Sequence, residues 1–278
     1  MIQTAAISLG GNVGDVQATF AQALAALDRL PAIQLVSRSR HFSTRPMGIN
    51  AGETFLNEVA LLQAACSPEE LFREMARIEL SLGRQRTVHW GPRTLDLDLI
   101  SFGQERIAWR LPERGAPVPL QGDRHPGVHR PQAETATLIV PHPACWYRRF
   151  VLDPWCDVAP HWRHPVLNET VRDMHERICQ RPLRISVSAA DSELAEQFLA
   201  ELELASLMEE VIRLPEGDRA AEMHFVFLDE STPAGREFAA RHHCPRTIRL
   251  SADRDGILLG LQILQSALDD VMPIEESK

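Results

Sequence analysis

The sequence predicts an α+β fold: a ferredoxin-like βαββαβ sandwich with additional C-terminal elements, followed by a small α/β domain. Three observations predict it. Strand-like and helix-like segments alternate through the first hundred residues, a strongly signalled helix start precedes the fourth strand, and a second alternation opens past about Gln180. Helices laid on one face of an antiparallel sheet bury the apolar side of both layers.

The run Thr4 to Leu9 is apolar and strand-like, and it ends in Gly10-Gly11-Asn12-Val13-Gly14, residues that tolerate positive φ. From about Val16 to Leu30, Phe20, Leu24 and Leu27 recur at helical spacing until Pro31. A β-rich stretch covers about Gln34 to Ser43, a turn follows at Arg45-Pro46-Met47-Gly48, and another strand runs from about Phe55 to Gln63. Ser67-Pro68-Glu69-Glu70 starts a helix: Ser67 caps it, Pro68 suits the first position and Glu70 completes a capping box. Leu71, Phe72, Met75, Ile78 and Leu82 give its apolar stripe, with Glu79 set beside it and Gly83 ending it. The next strand is Thr94 to Phe102.

From Trp109 to Ala136 the chain is rich in Pro, Gly, Arg and His, lacks periodicity and is long for a loop. His125 and His129 lie in it, without a third metal ligand at suitable spacing. Past Gln180, Arg184 to Ala189, Glu210 to Leu214, Met223 to Leu228 and Thr247 to Ser251 are strand-like. Helices are expected over Ser192 to Leu204 and about Asp255 to Val271, with Pro273 to Lys278 frayed.

The 44% apolar content suffices to build cores, and 29 basic against 38 acidic residues give a net charge of −9. That balance argues against nucleic acid or an anionic membrane as partner, while leaving room for a local basic cluster that binds a small anion. Five scattered cysteines without a C-x-x-C pair read as reduced thiols. No apolar run approaches the length of a membrane span and no leader pattern opens the chain, so a cytoplasmic location is expected.

The chemistry concentrates in GRQRTVHWGPRTLDLDLI, Gly83 to Ile100. On a strand, Leu95, Leu97 and Leu99 face one way, and Thr94, Asp96 and Asp98 the other. The two carboxylates then stand roughly 6–7 Å apart along the strand, within reach of one divalent cation or a pair. Mg²⁺ takes one or two carboxylates and completes its shell with substrate phosphates. Arg84, Arg86 and Arg93 supply guanidinium forks for phosphate, and Trp90 supplies a ring that can stack on a base. Alone, Asp-x-Asp reads as the solvated side of an amphipathic strand; the arginine-tryptophan lead-in and the Gly91-Pro92 turn point instead to a metal-polyphosphate substrate. The glycine turn at residues 10–14 has neither the lysine of a Walker loop nor dinucleotide-binding spacing.

WGPRTLDLDLI, preceded by GRQR, resembles the signature of the 6-hydroxymethyl-7,8-dihydropterin pyrophosphokinase family. SLGGNVGD, Thr44-Arg45-Pro46-Met47-Gly48, Phe55-Leu56-Asn57, Val140-Pro141-His142-Pro143, Arg148-Arg149-Phe150-Val151-Leu152 and Val158-Ala159-Pro160 follow in the family's order. The resemblance covers about residues 1–180 and implies a dihydropterin pyrophosphokinase domain there, with a long insert at about 109–136. It implies Arg84, Arg93, Asp96 and Asp98 as catalytic residues, with Asp96 and Asp98 holding two Mg²⁺ ions. Glu79, Arg86, Trp90, Leu138, His142 and Arg148 would serve ATP, the co-substrate. Thr44, Pro46, Phe55, Asn57 and Phe150 would form the pterin pocket: the two phenylalanines sandwich the ring, and Asn57 offers a donor and an acceptor to its edge. The implied reaction moves the β,γ-pyrophosphoryl group of ATP to the hydroxymethyl oxygen of 6-hydroxymethyl-7,8-dihydropterin, with AMP leaving, in folate biosynthesis. The turn after the first strand becomes a mobile loop beside the pterin, where Asn12 makes a local hydrogen bond.

Two departures stand out: the insert exceeds the family's usual connection, and His89 occupies a place where arginine is common. Two other readings compete. A different two-metal phosphotransferase would use the Asp pair without pterin, and a non-catalytic ATP- or pterin-binding regulator would bind without turnover. Residues 181–278 lack phosphate-loop glycines and lysine, and read as a docking module, a degenerate catalytic domain, or the contact for a homodimer or a folate-pathway partner.

Overall fold

Alternation along β1 (Gln3–Gly11) divides its side chains between two layers. Ala5, Ile7 and Leu9 enter one apolar cluster, and Ala6 enters the other. The structure, a computed structural model, describes residues 1–45, 54–83, 93–111, 118–119, 137–242 and 244–274. β4 (Phe55–Ala64) and β5 (Asp96–Phe102) pair antiparallel with the two edges of β1. β2 (Ile33–Arg38) and β3 (Phe42–Thr44) both pair with the outer edge of β4. The stretch expected as one strand is therefore two. Between them Ser39 accepts the Val59 amide at its Oγ, and Arg40 turns out to grip both carboxylate oxygens of Asp157.

α1 (Val16–Asp28) and α2 (Pro68–Ser81) cover one face of this sheet, adding Phe20, Leu24, Leu27, Leu71, Met75 and Ile78 to the cluster of Ile7 and Leu9. The expected capping box is present: Ser67 Oγ accepts from the Glu70 amide, and the Glu70 carboxylate from the Ser67 amide. Gly83, at φ +85°, follows the helix where an L side chain would be strained.

The opposite face packs against α3 (Arg149–Val158), with α4 (Val171–Cys179) behind it. Beside β5, with Ile107, Leu138 and Val140 buried in the α1–α2 cluster, runs a small antiparallel sheet of β6 (Ile107–Arg110), β7 (Val118–Pro119) and β8 (Thr137–Val140). The absence of periodicity from Trp109 to Ala136 thus hides a short strand pairing at the start of the insert. His125 and His129 lie outside the described residues.

Beyond, β9 (Leu183–Ala189), β10 (Val211–Leu214), β11 (Met223–Leu228) and β12 (Thr247–Ser251) form a parallel sheet in the order β10-β9-β11-β12. All six residues of central β11 are buried, as a parallel strand covered on both faces requires. α5 (Ser192–Leu204) and α7 (Arg254–Leu268) pack on one another, and α6 (Pro233–Arg241) packs on β11. α6 is weakly written in the sequence, with Gly235 in its first turn; a Cβ there would strike the Asp229 carbonyl. Of the tail expected to fray from Pro273, the two described residues are held: β13 (Met272–Pro273) adds antiparallel to β3, and the Ile274 amide donates to the His41 carbonyl (2.8 Å).

Candidate active site

Strand register puts the first three groups in line. Gly10 on β1 stands opposite Asn57 of β4 on one side and Asp96 of β5 on the other. Residues in register share a face, so Asn57, the Gly10 gap and Asp96 form one row about 10 Å across, two strand spacings wide. Gly10 leaves that row open in the middle; a Cβ there would lie 3.7 Å from Asn57 Oδ1 and 3.9 Å from Asp96 Cβ. Ser8 and Asp98 pair one step further along the same face. The predicted alternation holds: Asp96 and Asp98 are half-buried on this face, and Leu97 and Leu99 are buried on the other.

At the β4 end of the row, Asn57 is buried and its orientation is fixed. Its Nδ2 donates to Thr44 Oγ1 (3.0 Å) and to the Phe42 carbonyl (3.4 Å). Both amide hydrogens are thereby used on β3, which leaves Oδ1 as the group turned toward the gap. Phe55, opposite Thr44, is half-buried on the same side.

At the β5 end, three groups fix the acidic strand. Arg93 Nη1 contacts Asp96 Oδ2 at 2.5 Å. The Arg93 peptide is clasped from the glycine turn, where Asn12 Oδ1 accepts its amide (2.9 Å) and the Asn12 amide donates to its carbonyl (3.0 Å). Glu79, buried on α2, accepts the Leu97 amide at Oε1 (2.7 Å), between the two aspartates. Gly11 allows the close approach: a Cβ there would meet the Thr94 carbonyl at 2.7 Å.

The third side comes from the segment leading into α3. The His142 amide donates to the Ile100 carbonyl (2.8 Å), and its Nδ1 accepts the Ala144 amide (3.2 Å). Burial pushes the His142 pKa down to about 3, with Arg148 pushing the same way and Asp96 opposing. The imidazole is therefore neutral at physiological pH, and its free proton sits on Nε2. Arg148, the N-cap of α3, lays its guanidinium 5.5 Å from the centre of the half-buried Phe150 ring.

A family model for 7,8-dihydro-6-hydroxymethylpterin-pyrophosphokinase matches residues 6–160, a span that contains all of these groups. Among curated relatives, a 2-amino-4-hydroxy-6-hydroxymethyldihydropteridine pyrophosphokinase from Synechocystis is 33% identical over 63% of this chain and 75% of the relative. The enzyme of that name from Bacillus subtilis is 34% identical over 57% and 80%, and the one from Pseudomonas aeruginosa 33% identical over 59% and 86%. The chain belongs to the 7,8-dihydro-6-hydroxymethylpterin-pyrophosphokinase family. It is an ATP-using transferase of folate biosynthesis.

Within this pyrophosphokinase framework, Thr44, Phe55, Asn57, Arg93, Asp96 and Asp98 meet on one sheet face, with His142, Arg148 and Phe150 arriving from the α3 side. Leu138 does not join them: its side chain is buried in the α1–α2 cluster. Arg84, Arg86, Trp90 and Pro46 lie outside the described residues. Sequence reasoning missed the part played by Gly10, and placed Asn12 in a local bond when its partner is 81 residues away. The doubled glycine at the end of β1 was the available signal, since Gly in a strand marks a close approach.

Proposed function

We propose that pyrophosphoryl transfer occurs across the Asn57–Gly10–Asp96 row, with the pterin at the β4 end and the ATP phosphates at the β5 end. The observation that carries this reading is the row itself. It sets an acceptor-bearing amide and an acidic pair on one face, with only a glycine between them. In this reading Asn57 Oδ1 accepts an N–H from the pterin edge, the Thr44 hydroxyl lies beside it, and Phe55 and Phe150 face the ring's two sides. Pro46, assigned from the family motif alone, belongs to the same set.

Asp96 and Asp98 fit a divalent cation by donor type: two hard carboxylates in alternate positions on one face. Among the described residues no third His, Cys, Asp or Glu joins them, which suits Mg²⁺ bound jointly with substrate phosphates. Two bound Mg²⁺ ions would neutralise phosphate charge and steady the attacking and leaving oxygens. Arg93, with Arg84, Arg86 and Arg148, binds phosphate oxygens, and the neutral His142 donates its Nε2 proton to another. Trp90 stacks against the nucleotide. Glu79 acts through the Leu97 amide, holding Asp96 and Asp98 at their spacing. Because the nucleophile is a primary alcohol, positioning and charge neutralisation account for most of the work.

The order of the first strands, with α1 and α2 on one face, supports the finer description of a ferredoxin-like sandwich. We assign the reaction to residues 1–180 and read 181–278 as a parallel α/β unit that supports it. No described helix is long and apolar enough to cross a membrane, which accords with a cytoplasmic enzyme. The test is AMP release from ATP and Mg²⁺ with and without 6-hydroxymethyl-7,8-dihydropterin. AMP that appears only with the pterin supports the reading. Pterin-independent AMP, or binding of both ligands without turnover, overturns it.

A further inference from the structure

The last described residues of the chain return to the pterin side of the site. α7 ends at Leu268, and the carbonyls at its C-terminus accept from cationic side chains elsewhere in the chain. Arg149 Nη1 donates to the Asp269 carbonyl (3.2 Å), and Arg181 Nη2 to the Leu268 carbonyl (3.2 Å). A helix C-terminus carries partial negative charge, so both guanidinium groups are well placed. Arg149 itself is held by both carboxylate oxygens of Asp153 (2.8 and 2.9 Å). It lies between Arg148 and Phe150 in the first turn of α3.

Five residues beyond Asp269 the chain has crossed to β3. Met272 stands opposite Ser43, Pro273 opposite Phe42, and the Ile274 amide reaches the His41 carbonyl. β3 has only three residues and would otherwise be the free edge of the sheet. Its inner edge provides the two acceptors that orient Asn57, the Phe42 carbonyl and Thr44 Oγ1. Pro273 suits the new edge, since an edge strand needs no further donor.

We propose that residues Asp269–Ile274 are a positioning element for pterin binding. β13 holds β3 at the distance that fixes Asn57 and Thr44, and the Asp269 carbonyl anchors Arg149, the residue that precedes Phe150 in α3. Both walls of the pterin pocket thus lean on one short segment from the far end of the chain, and this segment gives residues 181–278 a part in substrate selection. The inference rests on the assignment of Thr44, Asn57 and Phe150 to the pterin.

The test compares Ile274→Pro, which removes the amide that donates to His41, with Ile274→Val, which keeps it, in the full chain. KM for 6-hydroxymethyl-7,8-dihydropterin, KM for ATP, kcat and Tm are measured for each. The expected result is a pterin KM raised about fivefold in Ile274→Pro, the worth of one net hydrogen bond, with ATP KM unchanged and Ile274→Val like the parent. Deletion of residues 272–278 should act in the same direction and more strongly. Equal rises in both KM values, a fall in kcat alone, or no change in either variant overturns the inference. Asn57→Ala is measured in parallel. An unchanged pterin KM there overturns the pocket assignment instead, whereas a raised one alongside an inert Ile274→Pro overturns only the positioning element.

Discussion

Gly10 acts through the side chain it lacks. A single methyl would stand at ordinary contact distance from Asn57 and Asp96, so Gly10→Ala should keep both fold and activity. Gly10→Val fills the gap; overpacking of this kind costs about 1–3 kcal/mol, and the expected result is a pterin KM raised roughly tenfold, read by steady-state kinetics. Asn12→Ala removes the acceptor that holds the Arg93 amide. It should cost about 1 kcal/mol of stability and lower kcat more than either KM, because Arg93 is misplaced with Asp96 intact. Equal kinetics in the parent and Asn12→Ala would separate the clasp from catalysis. At this scale the strand placement of Asp96 and Asp98 was readable in the sequence, because the two aspartates alternate with buried leucines. The row and the clasp were not, since each joins residues that only strand register brings together.

Among the elements, α2 was written most plainly in the sequence: cap, capping box, apolar stripe and terminal glycine all appear in the structure as read. α3 was not read as a helix, with Pro154 inside it and no side-chain cap. It is fixed by tertiary partners instead. One is α4, where His175 Nε2 lies 3.3 Å from Asp153 Oδ1 and 3.5 Å from Cys179 Sγ. The Asp153 hydrogen bond, helped by Cys179, raises the His175 pKa from 6.5 to about 9. A pKa raised by folding adds stability that is full below the unfolded value and fades as pH climbs through the folded one. His175→Gln should therefore lower Tm most below pH 6.5, with the gap closing above about pH 9. Thermal unfolding across that range checks it; a gap that widens with pH would contradict the Asp153 pairing.

For the whole molecule, the apolar cluster behind the sheet crosses residue 180 without a break. It joins Trp146, Trp155, Met174 and Ile178 to Leu183, Ile185, Phe198 and Leu264, and α7 contacts both α3 and α4. The two alternations in the sequence mark two patterns of chain but do not reveal this shared core, because periodicity shows which face is apolar and not what covers it. Each large side chain uncovered costs about 1.5–3 kcal/mol, against a typical total stability of about 5–15 kcal/mol. A chain ending at Gln180 should consequently lose its cooperative thermal transition, followed by circular dichroism. A truncated chain with the parent Tm and activity would reduce residues 181–278 to an appendage. The −9 charge of the whole says nothing of the site, where Arg93 contacts Asp96. The most direct measurement is pterin-dependent AMP release by Asp98→Asn, with folding checked by Tm. In the proposed cation-binding role, loss of one carboxylate charge would forfeit several kcal/mol of stabilisation, so kcat should fall roughly a thousandfold with Tm little changed. Turnover near the parent's would contradict the placement of the reaction at this acidic pair.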